Sequence, residues 1–190
     1  MKKIMNLLLI FTITLSGFIG IKEYQKNTEI PINDSYEKFE KYEKELNDLA
    51  QKNDIKFSSH GDCDDESCYK TISLDFFKTV QVSLDFDNTE GVEDSKISIY
   101  ASKDNVNIFT LLDYDLIDRI FKIVFNESYK DKLMKISDDL SKVNSNGEGK
   151  TMYLDRKKDI TVKYFLSYYY KPNTGIRTDD YYSCLLIETS

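Results

Sequence analysis

Apolar side chains recur at two different spacings along this chain, and each spacing predicts a different kind of element. Between Tyr36 and Ala50 they return every three or four positions, which predicts an amphipathic helix that ends near Asn53. Asp34 and Glu37 fit a capping box, so we expect the helix to begin beside them.

From Ile55 to Ala101 apolar and polar residues alternate instead, which is the two-residue period of a strand with one buried face. Four strands are predicted here, with one turn over Gly61–Ser67 and another over Asp87–Gly91. Clean alternation is typical of an antiparallel sheet that packs one face on the core and leaves the other face wetter.

The helical spacing returns in the second half of the chain. Capping boxes over Thr110–Asp113 and Ser128–Asp131 predict two further helices, and strands follow from Met152 onward. The last strand, Tyr181–Glu188, is apolar at consecutive positions, which predicts a central place in the sheet with both faces covered. We therefore predict an α+β fold: an N-terminal membrane-spanning or signal helix, an amphipathic helix, antiparallel strands, two helices and a C-terminal three-stranded antiparallel meander.

The N-terminus carries a targeting pattern. Residues 4–21 contain no charged side chain, and Lys2 and Lys3 precede them. This run of eighteen residues is at the short end of what crosses a bilayer, and it also suits a secretory signal. Thr14 and Ser16 offer only a poor cleavage site, so an uncleaved anchor and a cleaved signal both remain open.

This leader determines the expected domains and compartment. We expect residues 1–26 to be a signal or signal-anchor segment and residues 27–190 to form one extracytoplasmic domain. With the leader retained, the protein would be a single-pass protein of the cell membrane with its N-terminus cytoplasmic and its domain outside. After cleavage it would be secreted. Abundant Lys, Asn and Ile beside scarce Ala, Pro and Arg are typical of an AT-rich bacterial genome.

The charge balance narrows the classes of partner. The chain has a formal net charge of −7. Because an acidic surface repels phosphate groups, we expect no nucleic-acid partner and no adsorption to anionic lipid, so the membrane is contacted only through the N-terminal segment. Cations and basic partners remain compatible with this charge.

Three cysteines are present, Cys63, Cys68 and Cys184, and an odd number leaves at least one thiol free. Three single bridges are possible, and the sequence alone does not choose among them. We favour a disulfide between Cys63 and Cys68, which bracket a short loop, with Cys184 buried in a strand as a small apolar residue.

The densest polar cluster is His60–Cys68, which combines two cysteines, four carboxylates and the only histidine of the chain. One interpretation is a zinc site with His60, Cys63 and Cys68 as ligands. The spacing of the two cysteines is wider than in common zinc motifs, and no second cluster completes the set. We therefore favour an acidic hairpin tip closed by a disulfide, with no metal and no cofactor.

Tyrosines gather near the C-terminus, on either side of a loop over Lys171–Asp180. Tyrosine offers a large, stiff contact area with a polar tip, which suits recognition of peptides or glycans. The alternative is that tyrosine fills half-buried sheet positions because of its β-propensity. The candidate binding residues are Tyr168, Tyr169, Tyr170, Tyr181 and Tyr182.

No catalytic set accompanies these features, since the chain has one histidine and no phosphate-binding glycine loop. We expect a non-enzymatic protein that binds an envelope protein or a glycan, of the adaptor, inhibitor or immunity type. One alternative is a metal-binding or hydrolytic domain centred on His60–Cys68. Another is a structural component of an envelope complex, in which the first helix forms an oligomerisation seam.

Overall fold

A computed structural model describes residues 31–64, 66–76, 79–89, 91–142, 149–172 and 174–189, with the side chains of residues 32 and 33 excepted. The predicted signal or anchor segment, residues 1–26, lies outside the described residues, and its role stays a prediction. No helix within the described ranges combines the length and the apolar character that crossing a bilayer requires.

The described chain contains three α-helices, a short 3₁₀ turn and seven strands in the predicted order, and the α+β class is confirmed. The helices are α1 (Ile32–Lys52), α2 (Tyr114–Phe125) and α3 (Lys130–Leu140), and the 3₁₀ turn is Ile108–Thr110. The strands are β1 (Lys56–Cys63), β2 (Ser67–Asp75), β3 (Val80–Thr89), β4 (Val92–Ala101), β5 (Lys150–Asp155), β6 (Ile160–Tyr170) and β7 (Arg177–Thr189).

All seven strands form one antiparallel sheet in the order β1-β2-β3-β4-β7-β6-β5. Two meanders, β1–β4 and β5–β7, are joined where their last strands pair, for example at Ile99 and Leu185. The central place predicted for β7 is confirmed, but the cover predicted on both of its faces is not, since Tyr182, Leu186 and Glu188 are only half-buried. The two edges of the sheet are β1 and β5.

The helices pack on one face of this sheet, which we call the helix face. Phe39 of α1 is fully buried there, and its ring centroid lies 5.6 Å from that of Phe86 on β3. The Tyr42 hydroxyl donates a hydrogen bond of 3.0 Å to the carbonyl of Val124, which links α1 to α2. Because the apolar positions of β3 alternate with polar ones, its even-numbered residues enter the core and its odd-numbered residues point to the opposite face.

All three helix starts differ from the prediction. Helix α1 begins at Ile32 after Pro31 and has no side-chain cap, so the predicted box of Asp34 and Glu37 is wrong. Helix α2 begins at Tyr114 instead of Thr110, because the Asp113 carboxylate accepts the first free N–H groups of the helix. The preceding residues Ile108–Thr110 instead form the 3₁₀ turn.

The third helix begins at Lys130, two residues after the predicted capping box opens. Its entry is organised by Asp118 of α2, which is buried with 5 % of its surface exposed. This carboxylate accepts hydrogen bonds from the Ser128 hydroxyl at 2.7 Å and from the backbone N–H groups of Tyr129 and Lys130 at 3.1 Å each. Its second oxygen lies 2.8 Å from Lys122 Nζ.

The predicted turn over Gly61–Ser67 is too long. Strand β1 continues to Cys63, and the chain reverses within three residues because Asp64 accepts hydrogen bonds from the N–H groups of Glu66 and Ser67. Gly61 lies so close to the neighbouring strand that a Cβ atom would be 2.4 Å from the carbonyl oxygen of Tyr69. The glycine therefore belongs to the sheet and not to the turn.

Candidate functional site

The strand register divides the five predicted tyrosines between the two faces of the sheet. Tyr168 and Tyr181 are cross-strand partners with ring centroids 5.5 Å apart, and their parity places them on the helix face. Tyr169 and Tyr182 lie on the other face, with ring centroids 5.9 Å apart. Tyr170 is 63 % exposed near the tip of the β6–β7 hairpin. The five side chains therefore share one hairpin but do not form one surface.

The face opposite the helices, which we call the open face, has no helix over it within the described ranges. On this face Tyr100 of β4 contacts Tyr182, and their ring centroids are 6.2 Å apart. Tyr100 and Phe165 are the two cross-strand partners of Cys184, so Phe165 lies two strands away from Tyr100 in the same cross-strand row. Tyr100, Tyr182 and Tyr169 form a continuous aromatic area, and together with Phe165 beside Cys184 we call them the tyrosine patch. Its members are half-buried to exposed.

The loop after β4 fixes the patch through Asn105, whose backbone adopts a left-handed conformation with φ of 56°. Its N–H donates to the Tyr181 carbonyl at 2.8 Å, and its side-chain oxygen accepts from the Tyr181 N–H at 3.1 Å. Its amide nitrogen also donates to the Asp180 carboxylate at 2.8 Å. Asn105 thereby continues the pairing of β7 beyond the end of β4.

The neighbouring residue Asp104 orients the outermost ring of the patch. The Tyr169 hydroxyl donates a hydrogen bond of 2.8 Å to the Asp104 carboxylate. This bond, together with burial and the charges of Asp104 and Asp180, raises the pKa of the Tyr169 phenol. The phenol therefore stays a protonated donor at physiological pH.

A row of small hydroxyl side chains crosses the open face beside the patch. Ser58, Ser73, Ser83 and Ser98 are successive cross-strand partners in β1, β2, β3 and β4. We call them the serine row. The parallel rows on either side carry longer side chains, such as Lys96 and Tyr100, so the serine row is a shallow trough. Serine is not among the β-branched and aromatic residues that are enriched in strands, so four in one row offer less packing than such residues would.

The open face is acidic as well as aromatic. Seven carboxylates have the parity of this face in the described strands, against three lysines. The carboxylates are Asp62, Asp75, Asp85, Asp87, Asp94, Asp180 and Glu188, and the lysines are Lys56, Lys96 and Lys163.

Cys184 lies on the open face between its cross-strand partners Tyr100 and Phe165. It is free and buried, as predicted, with only 1 % of its surface exposed. Burial raises the pKa of its thiol to about 12, so the sulfur is protonated and a poor nucleophile. It serves the site as a small apolar spacer under the aromatic rings.

The predicted pairing of Cys63 with Cys68 is present, since the two residues are cross-strand partners with their sulfurs at bonding distance. Both have the parity of the helix face, whereas His60 has the parity of the open face. Among the residues that the structure describes, which exclude Asp65, no three His, Cys, Asp or Glu side chains are grouped to hold a metal ion. The described part of this cluster therefore lends no geometric support to the zinc interpretation.

Two grooves on the helix face offer little chemistry. The groove between α1 and α2 is bordered by Glu45, Lys52 and Arg119, and it contains neither a histidine nor a cysteine. A second groove, beside the disulfide, is bordered by Glu40 and Lys70, which are paired with each other at 2.6 Å. The open face is therefore the stronger candidate site.

Comparison with known proteins identifies no relative. Neither protein-family models, nor curated proteins, nor solved structures give a significant match to this chain. The site therefore has to be interpreted from its own geometry.

Two parts of this site were not predicted from the sequence. Tyr100 and the serine row lie on strands other than the tyrosine-rich hairpin, and only the register brings them beside it. The available signal was the presence of at least one serine in each of the first four strands. That signal becomes a row only when the pairing of the strands is known.

Proposed function

We propose that this protein is a non-enzymatic, extracytoplasmic binding protein that contacts another macromolecule through the open face of its sheet. The observation that carries the proposal is the continuity of the tyrosine patch with the serine row on one broad surface. The N-terminal segment would export the domain and either tether it to the membrane or be removed.

The dimensions of the open face suit a macromolecule better than a small molecule. Seven strands spaced by about 4.8 Å, each about ten residues long, give a surface of roughly 30 Å by 30 Å. This corresponds to about 900 Å², close to the roughly 800 Å² that each partner buries in a standard protein interface. The face is shallow, whereas small-molecule sites are concave.

The side chains of the face are those that recognition surfaces favour. Tyrosine contributes contact area at a low cost in conformational entropy, and serine contributes adaptable hydrogen bonds. Tyr100, Tyr169 and Tyr182 are held by ring contacts and by the Asp104 hydrogen bond, so little further ordering is needed on binding.

An extracytoplasmic location is supported by the cysteine pair. Disulfides persist in oxidising compartments and are rare in the cytosol, and Cys63 and Cys68 are at bonding distance. We also propose that the protein has no catalytic site. The one histidine is separated from the thiols by the sheet, and the remaining thiol, Cys184, is buried and protonated.

The proposal is tested by capture of partners from the native envelope with the tagged full-length chain. We expect the double variant Tyr169→Ala/Tyr182→Ala to capture about tenfold less of any stoichiometric partner than wild type does. Losses of this size are typical when anchor residues are removed from an interface. Tyr36→Ala is the matched control, because Tyr36 is 49 % exposed on α1 and Tyr169 is 44 % exposed. Equal capture by wild type, control and double variant, all with the same urea midpoint, would refute the proposal.

A further inference from the structure

We propose that the partner of the open face is a protein that presents a cationic surface, with arginine or lysine side chains seated against the tyrosine patch. This inference rests on the proposed function and specifies the chemistry of the partner.

The charge of the open face is the first observation that supports a cationic partner. Its seven carboxylates and three lysines leave it acidic. Where charges of both signs share a row, they alternate: Asp85, Lys96 and Glu188 are successive cross-strand partners, and the lysine offsets one of the two carboxylates. Most of the excess negative charge therefore lies in other rows.

The excess is concentrated in one row that contains no lysine. Asp62, Tyr69, Asp87 and Asp94 are successive cross-strand partners, so two carboxylates face each other directly across β3 and β4. Opposed like charges destabilise a sheet, and all three aspartates are exposed. A cationic partner would relieve this repulsion while a neutral one would not.

The tyrosine patch is the second observation that supports a cationic partner. The Tyr169 hydroxyl is held against Asp104, and Asp180 is held by Asn105 close to the same ring. Aromatic faces beside carboxylates attract a guanidinium or an ammonium group through cation–π and charge interactions together. The protein already uses this pairing internally, since Arg177 lies 4.3 Å from the ring centroid of Tyr168 on the helix face.

These observations favour a protein over a glycan. A neutral glycan would stack on the rings but would leave the aspartates of the lysine-free row without an opposite charge. Anionic glycans, nucleic acids and anionic lipid surfaces would be repelled by the same row. In the serine row between the two areas, Ser98 is buried, but the other three serines are accessible. Their hydroxyl groups are compatible with polypeptide contact because they both donate and accept hydrogen bonds.

The test measures binding of the full-length chain to two defined probes, cytochrome c as a cationic protein and succinylated cytochrome c as its charge-reversed form. The open-face variant is Asp62→Asn/Asp87→Asn/Asp94→Asn. The matched control, Asp48→Asn/Asp131→Asn/Asp138→Asn, removes the same charge from exposed positions on α1 and α3. The aromatic variant is Tyr169→Ala/Tyr182→Ala.

We expect wild type to bind cytochrome c and not its succinylated form. The open-face and aromatic variants should each raise the Kd about tenfold, and the helix control less than about twofold. An equal loss in the open-face variant and the helix control would overturn the inference, because it would show attraction by net charge alone. Binding of soluble peptidoglycan strands without binding of cytochrome c would also overturn it, yet would leave the proposed function standing.

Discussion

At the scale of single residues, the buried carboxylate of Asp118 shows how one side chain connects two helices. It accepts hydrogen bonds from the Ser128 hydroxyl and from two backbone N–H groups at the start of α3, and it pairs with Lys122. These donors would lie buried without partners if the carboxylate were removed. Sequence patterns did not reveal this role, because the residue is a polar exception on an otherwise apolar helix side.

We predict that Asp118→Ala destabilises the protein by about 2 kcal/mol, the cost of a lost cap together with unsatisfied donors. Urea unfolding followed by circular dichroism measures this loss. Asp138→Ala is the control, because Asp138 is exposed on α3. A midpoint for Asp118→Ala equal to that of the control would contradict the role assigned to the carboxylate.

The same residue predicts a pH dependence. Burial alone would raise the pKa of Asp118, but hydrogen bonds from Lys122, Ser128 and the Lys130 backbone outweigh it and leave the pKa lowered. Because a depressed pKa stabilises the folded protein only above the unfolded value, this contribution is present at neutral pH and is lost as the pH falls below about 4. The difference in urea midpoint between wild type and Asp118→Ala should therefore shrink on acidification.

At the scale of elements, the sheet contains cross-strand pairs that do not favour its stability. Asp87 and Asp94 are opposed like charges, and Ser83 lies between two other serines in the serine row. Both arrangements weaken cross-strand interaction compared with opposite charges or β-branched side chains. Features that cost stability and lie on one face are expected where the surface serves recognition.

We predict that Asp94→Lys stabilises the protein by about 0.5 kcal/mol, because it replaces a repulsive cross-strand pair with an attractive one. The same variant should bind cytochrome c more weakly. Thermal or urea unfolding gives the stability, and titration with cytochrome c gives the affinity. A loss of stability together with unchanged binding would contradict the interpretation of this row.

At the scale of the whole molecule, the two spacings of apolar residues, one helical and one alternating, were sufficient to predict the α+β class and the order of elements. The pairing of Cys63 with Cys68 could be predicted as well, because the two residues bracket a short turn. The sheet order could not, since the contact between β4 and β7 joins residues as distant as Lys96 and Glu188. The five tyrosines could be named from the sequence. Their division between the two faces could not be predicted, because it also depends on the strand register.

The central claim is that the open face, and not the helix face, contacts the partner. Site-specific photo-crosslinking in the native envelope tests it most directly, with benzoylphenylalanine placed in the full-length chain at Gln81 or Lys163 on the open face. Lys41 of α1 and Lys135 of α3 are the matched positions on the helices, and all four residues are exposed. We predict a covalent adduct of defined mass from the two open-face positions and only background from the two helix positions. Adducts from Lys41 or Lys135, with none from Gln81 or Lys163, would contradict the account.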